Sequence, residues 1–357
     1  MVKTVTVTKP TKIVQVKNGK VVVFDDRWIT INADEEEGRK GQHVLIKENG
    51  TIVYGLGGKY KHLRELGGKK SGRNYESELA KGLGKEHYDA IRDRLDKCGD
   101  KEFIDFWNAT ENGVAVGTTT EKGREHASFN AIYVDLEKDA GGEWYKDPYA
   151  TTVHESGHAI DYHCGFPTTT GGGYFSAQYK NGLFGQTLIQ EVNEHIEKLH
   201  TEMKQAFKEH GRDYKWLHKH GYINDDEKKI IERYERLGRL DEYYPLTYRK
   251  SMAYSKFEED VRAEGKNGNY SWWTMADILE GTTKGKIGSG HGKTYWRKMD
   301  RSYGKNAGVA MEAFAEITSA TITSPETLKV IKKYIPKSYE LYREMIKEMT
   351  KRGERIR

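Results

Sequence analysis

The segment His154-Glu155-Ser156-Gly157-His158 constrains the fold of this chain more than any other. Residues i and i+4 of a helix lie on one face, so a helix here presents both histidines to one point. Imidazole nitrogens are common zinc ligands, and a glutamate directly after the first histidine is placed to take a proton from water. The segment therefore predicts a metal-binding helix, with His154 and His158 as ligands and Glu155 as the general base.

The residues around this motif favour a buried helix of limited length. Asp147-Pro148 precedes it and suits a helix start, whereas Gly165 suits a helix end. Small and apolar residues recur at helical spacing between these limits. They are Ala150, Val153, Ala159 and Ile160.

A zinc site of this kind needs a third protein ligand and keeps a further position for water. In the metzincin pattern that ligand is a histidine six residues after the second one. Here Cys164 occupies that position and Asp161 replaces the glycine of the metzincin turn, so the metzincin geometry is not expected. A thiolate ligand from Cys164 is an alternative, although a small apolar cysteine near a helix end is usually only packed.

A better third ligand lies far downstream. Residues 311–317 predict a buried helix that carries Glu312 and Glu316 on one face, surrounded by apolar residues. A buried ionised carboxylate is costly unless a metal or another cation compensates its charge. We therefore expect Glu312 to bind the metal and Glu316 to support a ligating histidine from behind. The alternatives are that Glu316 is itself the ligand, that these carboxylates face solvent, or that they pair with Lys or Arg.

Four segments of the chain, in this order, resemble the catalytic domain of anthrax lethal factor-like, gluzincin-type zinc metallopeptidases. They are residues 154–161, 302–304, 312–316 and 335–338. The resemblance implies a zincin-like fold, a Zn²⁺ cofactor and hydrolysis of a peptide or protein substrate. It also implies that Glu312 completes the zinc site.

In that family a tyrosine upstream of the zinc-binding glutamate stabilises the oxyanion, and two tyrosines compete for this role here. Tyr303 has the matching position, although it lies nine residues before Glu312, further than the family spacing. Tyr295 is the other candidate. Asp161 and Glu316 are expected to fix the tautomers of the ligating imidazoles.

A second resemblance concerns other parts of the chain. Several segments are similar to modules of phage minor head or head-morphogenesis proteins, which sometimes carry a zincin-like domain near the C-terminus. The segments are residues 27–31, 40–46, 54–59, 276–279, 283–286 and 290–296. The resemblance implies a phage or prophage origin, phage structural proteins as partners, and a location in the bacterial cytoplasm or the virion.

Composition limits the classes of partner. The 59 Lys and Arg residues are mixed with 54 Asp and Glu residues, which predicts solvated helix faces and no nucleic-acid interface. No apolar stretch has the length of a membrane span, and the N-terminus lacks a signal-peptide core, so we expect no membrane association. The two cysteines, Cys98 and Cys164, do not form a disulfide framework and favour a reducing compartment.

Hydrophobic patterning predicts an α+β fold with two domains. A small β-rich N-terminal module is expected over residues 1–73, with two hairpins, and a mostly helical domain with a mixed sheet over residues 74–357. The first resemblance implies that this second domain is the zincin-like metallopeptidase domain. A helical insertion is expected over residues 168–285. A strand over residues 130–136 is expected to border the cleft and pair with an extended substrate, the alternative being an internal core strand.

Three functions are compatible with these features. The first is a zinc-dependent endopeptidase. The second is a phage virion or head-associated structural protein with a structural or inactive zincin domain, and the third is a toxin or effector protease that cleaves a host protein. Glu155 argues against the second, because a metal that only stabilises a fold requires no general base.

Overall fold

The computed structural model describes residues 73–356 except 119–124, 144–145, 166–172 and 265–271, together with the backbone of five short strands between residues 12 and 54. The chain divides into two units, residues 1–74 with 350–357, and residues 75–349. The candidate site and every side chain discussed below belong to the second unit.

The first unit contains the five short strands. Three of them, β1 (Lys12–Val16), β2 (Gly19–Phe24) and β3 (Arg27–Asn32), form an antiparallel sheet in that order. The other two, β4 (Val44–Ile46) and β5 (Ile52–Tyr54), form an antiparallel pair. This backbone pairing agrees with the two predicted hairpins. The segments 40–43 and 55–59, which contributed to the resemblance to phage head proteins, lie outside the described residues.

The second unit begins with helices and a small sheet. Its first elements are α1 (Glu78–Leu83), α2 (Lys85–Lys97), α3 (Lys101–Thr110), a 3₁₀ turn (Glu111–Gly113), β6 (Ala115–Thr118), β7 (His126–Ser128), β8 (Ala131–Val134) and α4 (Leu136–Gly141). Helices α1 and α2 are separate because the chain takes a left-handed conformation at Gly84, with φ of 78°.

The sheet of this unit is mixed, as the sequence predicted. Its strand order is β6-β8-β7, with β8 parallel to β6 and antiparallel to β7. The strand predicted over residues 130–136 is therefore present as β8, but both of its edges are already paired. The expectation that this strand pairs with a substrate is wrong, because alternating hydrophobicity identifies a strand without showing its neighbours.

The rest of the unit is helical. Its helices are α5 (Ala150–Cys164), α6 (Phe175–Gln178), α7 (Leu183–His210), α8 (Tyr214–Lys219), α9 (Asp225–Arg236), α10 (Lys250–Ala263), α11 (Trp272–Thr283), α12 (Lys293–Tyr303), α13 (Ala307–Thr323), α14 (Pro325–Tyr334) and α15 (Pro336–Ile356). Helices α14 and α15 are divided before Pro336, which cannot donate a backbone hydrogen bond within a helix. The mostly helical α+β class predicted from the sequence is confirmed.

Among the described residues of the unit, α5 and α13 make the most extensive contact between two helices. Every residue of α13 from Ala307 to Ile322 is buried, as expected for a helix that is apolar on nearly all sides. A Cβ atom added to Gly157 of α5 would lie 2.9 Å from Cα of Ala315. The absence of a side chain at Gly157 thus lets the two backbones approach and brings the motif face of α5 against the glutamates of α13.

Among the residues that the structure describes, no helix combines the length and the apolar character needed to cross a membrane.

Candidate metal centre

Helix α5 presents its two histidines to one point. The Nε2 atoms of His154 and His158 are 3.1 Å apart. Asp139, in the last turn of α4, accepts hydrogen bonds from the backbone N–H groups of Thr151 (3.2 Å) and Thr152 (2.7 Å). These bonds satisfy two free donors in the first turn of α5, so a neighbouring element fixes the start of the motif helix.

Glu312 of α13 completes a group of three donors. Its Oε2 atom is 3.5 Å from Nε2 of His154 and 3.3 Å from Nε2 of His158. Ligands bonded at about 2.0–2.1 Å in a tetrahedron are separated by roughly 3.3 Å, whereas N–H···O hydrogen bonds are typically about 2.9 Å long. The separations and the chemistry of these donors therefore fit a zinc ion.

Burial and charge at Glu312 are balanced by imidazoles. Glu312 is only 1% exposed, and burial by itself raises its pKa. His158, His154 and His291 outweigh that effect and hold the pKa of Glu312 well below its usual range. The carboxylate is therefore ionised and available as a ligand at neutral pH.

Glu316, one turn further along α13, lies behind the first histidine. Its Oε1 atom is 3.3 Å from Nδ1 of His154, on the opposite side of the ring from Glu312. Burial lowers the pKa of His154, but Glu316 and Glu312 outweigh it and raise that pKa well above its usual value. This arrangement suits the predicted role of Glu316 in orienting the ligating imidazole.

Asp161 was predicted to hold a ligating imidazole, but its partner in the structure is Ser176. Its carboxylate accepts hydrogen bonds from the backbone N–H (2.7 Å) and the hydroxyl of Ser176, in the short helix α6. Among the described residues, Nδ1 of His158 has no hydrogen-bond partner, so Asp161 does not fix the tautomer of that ring here. Burial raises the pKa of Asp161 to about 7, against the lowering effect of Ser176.

The two candidate tyrosines occupy different places. Tyr295 of α12 donates a hydrogen bond from its hydroxyl to Oε1 of Glu312. Tyr303 instead packs its ring against Tyr174, with centroids 5.1 Å apart, and Tyr174 in turn lies edge-on to His158 at 6.4 Å. Tyr295 thus contacts a proposed metal ligand, whereas Tyr303 is one aromatic ring further away.

The alternative ligand Cys164 does not meet the centre. Its side chain is buried in the hydrophobic core at the end of α5. Within the described part of the chain, Cys164 belongs to neither of the two residue groups whose donor atoms lie close enough together to bind a metal ion.

Two further residues reach the centre that sequence reasoning did not identify. His291 precedes α12, and its Nε2 atom is 3.4 Å from Oε2 of Glu312 and 3.5 Å from Oδ2 of Asp277 in α11. The backbone N–H groups of His291 and Gly292 donate to the carboxylate of Glu280, at 2.8 and 3.0 Å, and so fix this loop. The Gly-Ser-Gly-His-Gly run at residues 288–292 was the available signal, because such a glycine-rich turn permits close approach to a neighbour.

A cavity of about 350 Å³ opens beside these residues. His154, Glu155, Asp277, His291 and Glu316 contribute to its wall. Glu155 is half-buried there, next to the first histidine. The proposed base and His154, one of the three proposed ligands, consequently border the same space, in which a water molecule and a small part of a substrate have room.

The site belongs to the class of centres in which histidines and a carboxylate converge between two helices, here α5 and α13. Comparisons with protein-family models, with curated proteins and with solved structures find no match to this chain. The side chains of the centre are therefore the basis for the function proposed below.

Proposed function

We propose that this chain is a zinc-dependent endopeptidase whose metal ligands are His154, His158 and Glu312. The observation that carries the proposal is the convergence of their donor atoms from two helices, with separations of 3.1 to 3.5 Å. Two neutral imidazoles and one carboxylate form a typical ligand set of catalytic zinc sites, which keep a position for water.

A zinc ion in this position would polarise a substrate carbonyl and lower the pKa of a water molecule. Glu155 would take the proton of the attacking water and pass it to the leaving amine. Its place on α5, at the wall of the cavity and next to His154, supports this role. A stabilising site without chemistry would have no use for a carboxylate in this position.

Tyr295 is the better candidate for stabilising the oxyanion, since its hydroxyl already reaches Glu312. A hydroxyl donor in a buried site is effective there because it needs no reorganisation as negative charge develops. Glu316 would hold the imidazole of His154 in the tautomer that leaves Nε2 free to bind the metal.

The proposal includes the wider relationships suggested by the sequence. The order of the zinc helix, the glutamate helix and an intervening tyrosine supports a place among lethal factor-like, gluzincin-type peptidases. The segments similar to phage head proteins support a phage- or prophage-encoded peptidase that acts on a peptide or protein substrate.

The test combines zinc analysis with peptide cleavage. Tag-free wild type, Glu155→Gln and a His154→Ala/His158→Ala double variant are dialysed and analysed for zinc, and each is incubated with an unbiased peptide library. We expect wild type to bind zinc and cleave, Glu155→Gln to bind zinc without cleaving, and the double variant to do neither. Glu340→Gln, at an exposed position on α15, serves as the matched control.

Two results would contradict the proposal. Absence of zinc from folded wild-type protein would remove the metal centre. Zinc binding without cleavage of any peptide would instead favour a structural role for the ion.

A further inference from the structure

We propose that Asp277, His291 and Glu312 form a second divalent-cation position beside the first one, with Glu312 as the shared ligand. The inference builds on the proposed zinc site and extends it to a two-metal centre. The three residues come from α11, from the loop before α12, and from α13, so they are distant in sequence and brought together only by folding.

The distances within this group match those between ligands of one ion. Nε2 of His291 lies between two carboxylates, 3.4 Å from Oε2 of Glu312 and 3.5 Å from Oδ2 of Asp277. The three donor atoms all lie within 4.8 Å of one another. Both separations exceed the usual length of an N–H···O hydrogen bond and approach the roughly 3.3 Å expected between zinc ligands.

The group is separate from the first one. Within the described part of the chain, no set of donors that lie within 4.8 Å of one another combines His291 with His154 or His158. Ligands of a single ion bonded at about 2.1 Å are separated by at most about 4.2 Å. The histidines therefore belong to two adjacent positions. Oε2 of Glu312 faces both, because it is 3.3 to 3.5 Å from each of the three Nε2 atoms.

Asp277 supplies an independent indication of a missing partner. It is 5% exposed, and its Oδ1 atom has no hydrogen-bond partner among the described residues. Buried carboxylate oxygens are normally satisfied, so an orphan of this kind indicates an unseen ligand such as a water molecule or an ion. Asp277 also borders the cavity, through which an ion can reach it.

The charges of the centre favour a second cation. Glu312 and Glu316 are buried together with Asp277. The histidines must be neutral to bind a metal, and so they cannot offset these three negative charges. One divalent ion at His154 and His158 leaves a net negative charge in the site. Glu312 and Glu316 pair with those two histidines, whereas Asp277 pairs with His291. Imidazole and carboxylate donors suit Zn²⁺, Co²⁺ or Mn²⁺, and paired ions about 3.5–4 Å apart are common in hydrolases.

The experiment measures stoichiometry and needs no catalysis. Tag-free Glu155→Gln protein is stripped of metal with a chelator and titrated with Co²⁺, with binding followed by calorimetry and by visible absorption. We expect two equivalents per chain. Asp277→Asn and His291→Gln are each expected to bind one equivalent, with the affinity of the first changed less than about threefold, whereas Asp241→Asn and His220→Gln are exposed controls that keep two. Circular dichroism establishes that each variant is folded.

A second readout tests whether the two ions share a ligand. Electron paramagnetic resonance of the fully loaded Mn²⁺ form is expected to show an exchange-coupled pair, and Asp277→Asn is expected to show an isolated ion. Uncoupled signals from a protein with two ions would overturn the shared position of Glu312.

Two outcomes of the titration would overturn the second position. One is a single equivalent in the parent protein that Asp277→Asn leaves unchanged, as expected if a protonated His291 simply pairs with the two carboxylates. The other is the loss of all metal from a folded Asp277→Asn variant. Failure of the proposed function would look different, because two equivalents would then bind to a wild-type protein that cleaves no peptide.

Discussion

At the scale of single residues, Glu312 is the centre of the site. One of its carboxylate oxygens contacts three imidazoles and the other accepts from Tyr295. The residues around it have separable roles, since some hold the ligands and others face the cavity. Substitutions that preserve size can therefore distinguish orientation of a ligand from stabilisation of charge.

Glu316→Gln tests orientation of the metal ligand. The change keeps the size of the side chain and removes the charge beside Nδ1 of His154. We expect zinc affinity to fall about 10–100-fold, while the ion still binds. Competition with a chromogenic chelator measures the affinity, with Glu340→Gln as the control. Equal affinities of Glu316→Gln and wild type would exclude the orienting role.

Tyr295→Phe tests stabilisation of the oxyanion. Loss of the hydroxyl is expected to lower kcat about 10²–10³-fold with little change in KM or zinc content, because the lost bond acts in the transition state. Tyr303→Phe is the matched comparison and is expected to have a smaller effect, since its ring packs on Tyr174. A larger loss in Tyr303→Phe would reverse the assignment of the two tyrosines.

At the scale of secondary-structure elements, the site depends on how closely α5 and α13 pack. The close contact between Gly157 and Ala315 sets the distance between the helices, and therefore the distance between the two histidines and Glu312. Contacts from α4 and from α13 also hold the start of α5. Asp139 fixes the start of α5, and Ser319 donates a hydrogen bond from α13 to the carbonyl of Ala150 at 2.9 Å.

Gly157→Ala tests this packing. The added methyl group would meet the backbone of α13 at 2.9 Å, so the helices must separate. We expect a loss of about 1–3 kcal/mol in the free energy of unfolding and weaker zinc binding. Gly141→Ala in α4 is the control, because an added Cβ atom there meets nothing within 4 Å. Urea unfolding measures the stability of Gly157→Ala and of Gly141→Ala. Equal stabilities of the two variants would contradict the prediction.

The contact between α3 and α15 predicts a dependence of stability on pH. Asp100 caps α3 by accepting from the N–H of Phe103 at 3.0 Å, and its carboxylate also accepts from the guanidinium of Arg343. Burial by itself raises the pKa of Asp100, but the bonds from Arg343 and Phe103 outweigh it and lower the pKa. Because the pKa is lower in the folded state, the stabilisation is present above the unfolded value of about 3.9 and is lost as the pH falls through the folded value.

Asp100→Asn isolates that charge, since asparagine is also a good helix cap. We expect the variant to be less stable than wild type at pH 7 by up to about 1 kcal/mol, because the ion pair is still partly exposed to solvent. The difference should shrink as the pH falls below about 3.9 and vanish only below the pKa of the folded state. Urea unfolding over a series of pH values from 7 downward measures it, with Asp241→Asn as the control, and a difference that stays constant as the pH falls would show that the effect does not come from the charge.

At the scale of the whole molecule, the candidate metal centre lies among helices that are distant from one another in sequence. Its residues come from α5, α11, α12 and α13 and from the loop before α12. A bound ion would therefore connect elements that are separated by more than a hundred residues in sequence. Its removal leaves buried carboxylates close together, which is unfavourable without compensating charge.

Removal of the metal is therefore expected to destabilise the second unit. Treatment with a chelator should lower the unfolding temperature, and added Zn²⁺ should restore it by mass action, about 4 kcal/mol at a thousandfold excess over Kd. Differential scanning calorimetry measures the shift. The His154→Ala/His158→Ala variant should show no response to either treatment, and an unchanged unfolding temperature of wild type in chelator would contradict the prediction.

Local periodicity determined much of this protein before any tertiary structure was considered. The spacing of His154 and His158 and the apolar residues around them predicted α5, and the apolar surroundings of Glu312 and Glu316 predicted α13. Alternating hydrophobicity likewise predicted β8. In each case the information lies within a few residues, because the helix and strand repeats fix which side chains share a face.

Tertiary packing decided which of these faces meet and what else reaches them. It paired both edges of β8, placed Tyr295 rather than Tyr303 on Glu312, turned Asp161 toward Ser176, and brought Asp277 and His291 to the centre. An isolated aspartate or histidine carries no periodic signal, so its position depends on contacts between distant segments. Those contacts follow from the close packing of particular surfaces, such as Gly157 against Ala315, which a one-dimensional pattern does not encode.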